Sequence, residues 1–96
     1  MLKVLIVDTS LLCVWLQVPG KEICSSKDKD DMWDFQRVDK CIQEEIKKGT
    51  TLVLPLATVI ETGNHIAQAT IKRPETARAL AEIMIKAADE TSPWAA

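Results

Sequence analysis

The sequence is poor in glycine and cysteine and has no long apolar run, and each shortage excludes a class of protein. Its three glycines are too scattered for a phosphate-binding loop. Its three cysteines have no CxxC spacing, which predicts neither a closed disulfide set nor a zinc knuckle. No apolar run reaches the roughly eighteen residues of a membrane-spanning helix, and the first apolar run is too short for a signal peptide. We therefore expect a location in a reducing cytoplasm and no membrane partner.

An excess of positive charge is also missing. The chain has 12 basic and 14 acidic residues and a formal net charge of −2, whereas proteins that hold nucleic acids mainly by electrostatics carry a basic patch. The balance still allows a carboxylate-rich site in which bound metal ions supply the positive charge. With 96 residues, 47% hydrophobic and 27% charged, the chain predicts one small globular domain over residues 1–96.

The N-terminal third predicts a strand, a polar turn, a short helix and a loop. Residues 2–7 form a short apolar run without polar alternation, which is typical of a parallel strand buried on both faces. Asp8, Thr9 and Ser10 end this run and are good N-cap candidates for an apolar helix over residues 11–16. The charged and serine-containing stretch 21–31 predicts a solvated loop.

The middle of the chain predicts a second helix and a second strand. Apolar residues recur at helical spacing before Gly49, and residues 50–54 form a β-rich run that ends at Pro55. The stripe of this helix consists of Met32, Phe35, Val38, Cys41, Ile42 and Ile46. A helical connection makes the two strands parallel, so their carboxyl ends, at Asp8 and Pro55, should share the edge where open α/β sheets bind ligands.

Two further helices are predicted in the last third, over residues 57–69 and 75–89, with Pro74 in the first turn of the second. The expected apolar face of the first is Val59, Ile60, Ile66 and Ala67. The second should turn Ala77, Leu80, Ala81, Met84 and Ala88 toward the core, with Ile83 and Ala87 beside them. Because Thr91, Ser92 and Pro93 end this helix, the predicted order is β-α-α-β-α-α.

Asp8 is the first residue that points to chemistry. A carboxylate directly after a buried strand is costly unless something pairs with it, and a divalent cation is one such partner. Receiver domains and dehalogenase-type phosphatases also carry an aspartate there, but they add a second acid that Asp8-Thr9-Ser10 lacks. The sequence therefore favours neither a receiver domain nor a dehalogenase-type phosphatase.

Glu61 is the second candidate, about two turns into the helix that follows Pro55. Its apolar neighbours place it near the border of the buried face, close to the sheet edge that carries Asp8. Two carboxylates at one edge repel each other unless a cation neutralises them or one stays protonated. Asn64 follows three residues later on the same helical face, where it either orients Glu61 or a metal-bound water or is a plain surface residue.

These two pieces, VLIVDTSLL and LPLATVIETGNHIA, resemble the PIN-domain family. Its members begin with a strand ending in Asp-Thr/Ser-Ser/Asn and carry Pro-x-x-x-x-x-Glu at the second strand–helix junction. The resemblance implies an α/β/α three-layer sandwich and an endoribonuclease that cleaves single-stranded RNA with Mg²⁺ or Mn²⁺. It also implies catalytic and metal-binding roles for Asp8 and Glu61, with Ser10 as polar support. Many small PIN proteins are toxins, so an antitoxin is an expected partner.

The resemblance covers nearly all of the chain but only about the first two thirds of a PIN domain. Later strands and their acidic ligands are missing, so we expect a C-terminally incomplete domain whose first strand keeps an unpaired edge. A second copy or another protein would then complete the sheet. Two hypotheses stay open: an incomplete metal-dependent ribonuclease, and a catalytically inactive PIN-like protein-interaction module.

The remaining chemically versatile residues have structural interpretations that are at least as good. His65 points away from the neighbours of Glu61 and is expected to be structural or exposed. Trp15 and Trp33 sit in apolar stripes, which predicts core packing rather than base stacking. A small basic group either meets RNA phosphates or is a solvated helix end. This group consists of Lys72, Arg73 and Arg78.

Overall fold

The computed structural model of the protein describes residues 3–22, 24–25 and 32–96. These residues form a compact α/β unit with four helices and a short parallel sheet of three strands. The elements in chain order are β1 (Val4–Ile6), α1 (Thr9–Trp15), β2 (Cys24–Ser25), β3 (Met32–Trp33), α2 (Phe35–Lys47), β4 (Thr51–Val53), α3 (Leu56–Gln68), α4 (Arg73–Ala88) and β5 (Trp94–Ala95).

The parallel sheet has the strand order β1-β4-β5. Leu5 of β1 lies beside Leu52 of β4, which lies beside Trp94 of β5. The predicted parallel pairing of the first two strands is confirmed. The third strand, β5, was not predicted, because two residues after a proline are too short to show a strand period. The observed order therefore continues beyond the fourth helix.

The predicted loop and second helix need a correction at their junction. Residues 24–25 and 32–33 form a small antiparallel pair, and the rest of the segment 26–31 lies outside the described residues. Met32, predicted on the helical stripe, is in β3 and 50% exposed. The helix begins only after Asp34, whose carboxylate accepts a hydrogen bond from the Arg37 backbone N–H. This cap sets the start of the helix, although the apolar residues at helical spacing extend back into β3.

The predicted end of α2 at Gly49 is confirmed. Gly49 has a φ of 80°, a backbone conformation that glycine adopts without a Cβ penalty. Its N–H donates to the Ile46 carbonyl at 3.0 Å, and the Thr50 N–H donates to the Glu45 carbonyl at 3.1 Å. These two bonds satisfy carbonyls at the helix end and lead the chain directly into β4.

Helices α3 and α4 occur close to the predicted ranges, and Pro74 lies in the first turn of α4 as expected. Their buried faces agree with the prediction only in part, at Ile66, Leu80, Ile83 and Ala87. Ile60 is 55% exposed and Ala67 is exposed, while α3 buries Thr58, Thr62 and Ile66. In α4 the prediction is wrong for four residues, which are exposed: Ala77, Ala81, Met84 and Ala88. Its buried residues are Thr76, Leu80, Ile83 and Ala87.

Among the described residues, the helices cover one face of the parallel sheet. Leu5 is half-buried and Leu52 is fully buried, whereas Val4 and Ile6, which alternate with Leu5, are 55% and 63% exposed. Right-handed connections that always add the next strand on the same side place every connecting helix on one face. The prediction that the first strand is buried on both faces is therefore wrong.

The core lies between the covered sheet face and the four helices, each of which contributes buried residues to it. Trp94 stacks on Trp15 of α1 with ring centroids 5.8 Å apart. Trp15 and Trp33 pack against the core, which confirms the packing predicted for them. Among the described residues, no helix is both long and apolar enough to cross a membrane.

Candidate functional site

Asp8 lies at the carboxyl end of β1, at the sheet edge where the sequence predicted a site. It is exposed, so the burial cost expected for its carboxylate does not arise. Its Oδ1 atom accepts a hydrogen bond from the Leu11 backbone N–H at 2.9 Å and thereby caps α1. The Oδ2 atom has no hydrogen-bond donor among the described residues. Asp8 thus combines a structural role with one free carboxylate oxygen.

Helix α3 is attached to the same end of β1 by a buried hydrogen bond. The Thr58 hydroxyl donates to the Val7 carbonyl at 2.9 Å, directly before Asp8. Thr58 is in the first turn of α3, and Glu61 follows it by three residues on the same side of the helix. This bond therefore brings Glu61 to the end of the strand that carries Asp8.

Thr9 joins the two parts of the site. Its Oγ1 atom donates a hydrogen bond to Glu61 Oε2 at 2.8 Å, across 52 positions of the sequence. Thr9 is the residue after Asp8, so both predicted carboxylates lie around one threonine. The prediction that Asp8 and Glu61 lie close together agrees with this contact.

The two supporting residues predicted from the sequence do not take part in this contact. Ser10 and Asn64 are both exposed, and neither side chain forms a hydrogen bond with another described residue. The position after Asp8, rather than the serine two positions later, supplies the hydroxyl. From the sequence Thr9 is predicted only as an N-cap candidate, although a side chain directly after Asp8 necessarily lies beside it.

The donor set fits part of a magnesium or manganese site. Asp8 Oδ2 and Glu61 Oε1 are left without hydrogen bonds among the described residues and are hard oxygen ligands. Within residues 3–22, 24–25 and 32–96, no group of three or more acidic, histidine or cysteine side chains is placed to hold a metal ion. Mg²⁺ is commonly bound by one or two carboxylates together with waters and substrate phosphates. A site of that kind needs no more than two protein carboxylates.

Two other reactive side chains, those of His65 and Cys13, are half-buried and buried, respectively. His65 is half-buried, and its Nδ1 atom is enclosed without a hydrogen-bond partner in the part of the chain described. Cys13 is buried in the core, and this burial raises the pKa of its thiol. The thiol is therefore protonated near neutral pH and is a poor nucleophile.

Two further surface features include neither Asp8 nor Glu61. The basic side chains Lys72, Arg73 and Arg78 are exposed at the start of α4. A groove of about 680 Å³ is lined by residues that follow α1, begin α2 and begin α4, including Pro19, Phe35 and Ile71. Neither Asp8 nor Glu61 lines it. Asp8 and Glu61 are both exposed, so the candidate site is open to solvent.

Comparison of the chain with protein-family models, with curated proteins and with solved structures gave no match in any of the three.

Proposed function

We propose that the chain is the N-terminal part of a PIN-type ribonuclease domain that cleaves single-stranded RNA with Mg²⁺ or Mn²⁺. The observation that carries the proposal is the hydrogen bond from Thr9 to Glu61, because it gathers both motif carboxylates at the carboxyl end of β1. The strand order and the four helices are compatible with the first part of such a domain. The α/β/α three-layer arrangement is also part of the proposal. The described helices form one of its two helical layers, on one face of the sheet.

Asp8 and Glu61 are the residues that would hold the metal ion, each through its free oxygen. When bound, the ion would activate water and balance the negative charge that develops on a phosphodiester. The protein's own contribution is to fix the two carboxylates. Asp8 is held by the Leu11 N–H, and Glu61 is held by the Thr9 hydroxyl. Both side chains are exposed, so a single-stranded substrate can reach them.

The proposed partners follow from the same assignment. RNA is the substrate, and the basic side chains at the start of α4 are candidates for contacts with its phosphates. An antitoxin is the proposed protein partner, and the cytoplasm is the proposed location. Cys13 and Cys41 are free thiols, which is compatible with a reducing compartment.

The test is cleavage of a fluorescently labelled single-stranded RNA with Mn²⁺, with Mg²⁺ and with excess chelator. We expect cleavage that needs the metal and is lost in the Asp8→Asn/Glu61→Gln protein. The asparagine can still cap α1, so the double variant removes charge and keeps the helix start. Metal-dependent cleavage that persists unchanged in the double variant would contradict the proposal.

A second candidate function is a catalytically inactive PIN-like interaction module. The exposure of Val4 and Ile6 on the uncovered sheet face favours it, because exposed apolar patches often mark protein-interaction sites. In that case the carboxylates are remnants and bind no metal. Absence of Mn²⁺ binding together with stable binding of a protein partner would favour this candidate over the first.

A further inference from the structure

One edge of β1 has no partner strand in the described part of the chain, and the backbone groups that point to this edge can be identified. The Lys3 carbonyl accepts from the Thr51 N–H at 2.9 Å, and the Val7 N–H donates to the Val53 carbonyl at 2.9 Å. Together with the register of β1 on β4, these bonds show that the odd-numbered residues of β1 face β4. The N–H and C=O groups of Val4 and Ile6 therefore point to the opposite edge, where the described residues supply no strand.

The same two residues carry exposed apolar side chains. Val4 is 55% and Ile6 is 63% exposed, and both lie on the sheet face that the described helices leave uncovered. Natural edge strands are usually protected by charged residues, proline or a bulge, and the segment Val4–Ile6 has none of these. This edge and face thus form one surface suited to receive another strand.

We propose that this surface binds β1 of a second copy of the chain, in an antiparallel pair centred on Leu5. In that register Val4 of one copy is opposite Ile6 of the other. Both residues have outward N–H and C=O groups, so each such pair exchanges both of its backbone hydrogen bonds. The arrangement is two-fold symmetric, and each copy uses the same residues, as in most homodimers.

The side chains support this occupant as well as the backbone does. Directly opposite residues of an antiparallel pair lie on the same face, so Val4 and Ile6 of different copies contact each other on the uncovered face. Leu5, which is half-buried in one copy, meets Leu5 of the other on the covered face. The two sheets become one sheet of six strands.

The test is the oligomeric state of the full chain, measured by sedimentation velocity over a range of concentrations up to about 1 mM. We expect a monomer–dimer equilibrium. The Ile6→Pro variant loses the outward N–H but keeps the bonds from β1 to β4. The dissociation constant of the dimer should therefore rise at least about tenfold. Ile6→Val keeps the N–H and is the matched control, with dimerisation close to that of the wild type.

Hydrogen exchange of the wild-type protein gives a second measurement that does not depend on the folding of a variant. The amides of Val4 and Ile6 should become protected as concentration rises, while the Leu5 amide is protected throughout. A chain that stays monomeric, or a dimer unaffected by Ile6→Pro and lacking this protection, would overturn the proposal. The proposal would also be overturned if the chain stayed monomeric and bound a strand of a different protein at this edge. Because the pairing does not involve Glu61, dimerisation of Glu61→Gln protein separates this proposal from the proposed ribonuclease activity.

Discussion

The hydroxyl of Thr9 and the carboxylate of Glu61 lie 2.8 Å apart, although the two residues are separated by 52 positions of the sequence. This bond links the start of α1 to the second turn of α3 beside Asp8. It leaves one oxygen of Glu61 free and restricts the position of the whole carboxylate. A carboxylate that is already oriented loses less conformational freedom when it binds a ligand.

Replacement of Thr9 by valine should weaken Mn²⁺ binding roughly three- to tenfold, because the lost hydrogen bond is worth about 1 kcal/mol at an exposed position. Thr9→Ser keeps the hydroxyl and should bind nearly as well as the wild type. Calorimetric titration of the three proteins measures the difference. Equal affinity in all three would show that Thr9 does not position Glu61.

Replacement of Thr58 by valine should lower the free energy of unfolding by about 1–3 kcal/mol, because it leaves the buried carbonyl of Val7 without its donor. For a domain of this size the midpoint of thermal unfolding should fall by about 4 °C or more. The matched control is Thr58→Ser, which retains the donor. If valine and serine proteins unfold at the same temperature, the bond does not hold α3 to β1.

The general architecture could be predicted from the sequence, because periodicity and capping are local. The stripe ending at Gly49 and the β-rich run after it gave α2 and β4 within a few residues. The parallel pairing followed from the helical connection between the strands. The proximity of Asp8 and Glu61 could be expected for the same reason, since carboxyl ends of parallel strands share one edge.

The features that were predicted wrongly or missed depend on contacts between residues far apart in the sequence. The buried stripe of α3 contains Thr58 and Thr62, which an apolar pattern does not recognise, and Thr58 is buried because its hydroxyl has a partner in β1. Exposure of Val4 and Ile6 depends on which sheet face the helices cover. The contact from Thr9 to Glu61 likewise exists only after folding.

Leu52→Ala should destabilise the protein by about 2–5 kcal/mol, because Leu52 is fully buried in the central strand. The control is Ile60→Ala, at a position predicted to be buried from the sequence but found 55% exposed. Its effect should stay within about 0.5 kcal/mol. Urea unfolding of both variants measures the free energies. A large loss at position 60 would contradict the observed orientation of α3.

The contacts of Glu45 make the free energy of unfolding depend on pH. The hydroxyl of Thr50 donates to Glu45 Oε2 at 2.7 Å and Lys3 donates to Oε1 at 3.0 Å, and these bonds lower the pKa of Glu45. The unfolded chain has the ordinary glutamate pKa of about 4.3. The stabilisation is therefore fully present above that pH and is lost as the pH falls through the lower pKa of the folded state.

We expect Glu45→Gln to be less stable than the wild type near neutral pH, with the difference shrinking as the solution is acidified. Urea unfolding between about pH 3 and pH 7 covers the interval in which the carboxyl titrates. Glu44→Gln changes the exposed neighbouring residue and is the matched control. A difference that grows on acidification would contradict the assigned direction of the pKa change.

The central claim is that Asp8 and Glu61 together bind a divalent metal ion, and calorimetric titration with Mn²⁺ tests it most directly. The wild-type protein should bind Mn²⁺ with measurable heat, and the Asp8→Asn/Glu61→Gln protein should show no binding while it retains the wild-type unfolding temperature within a few degrees. Binding of equal strength in both proteins, or no binding to the wild type, would contradict the assignment.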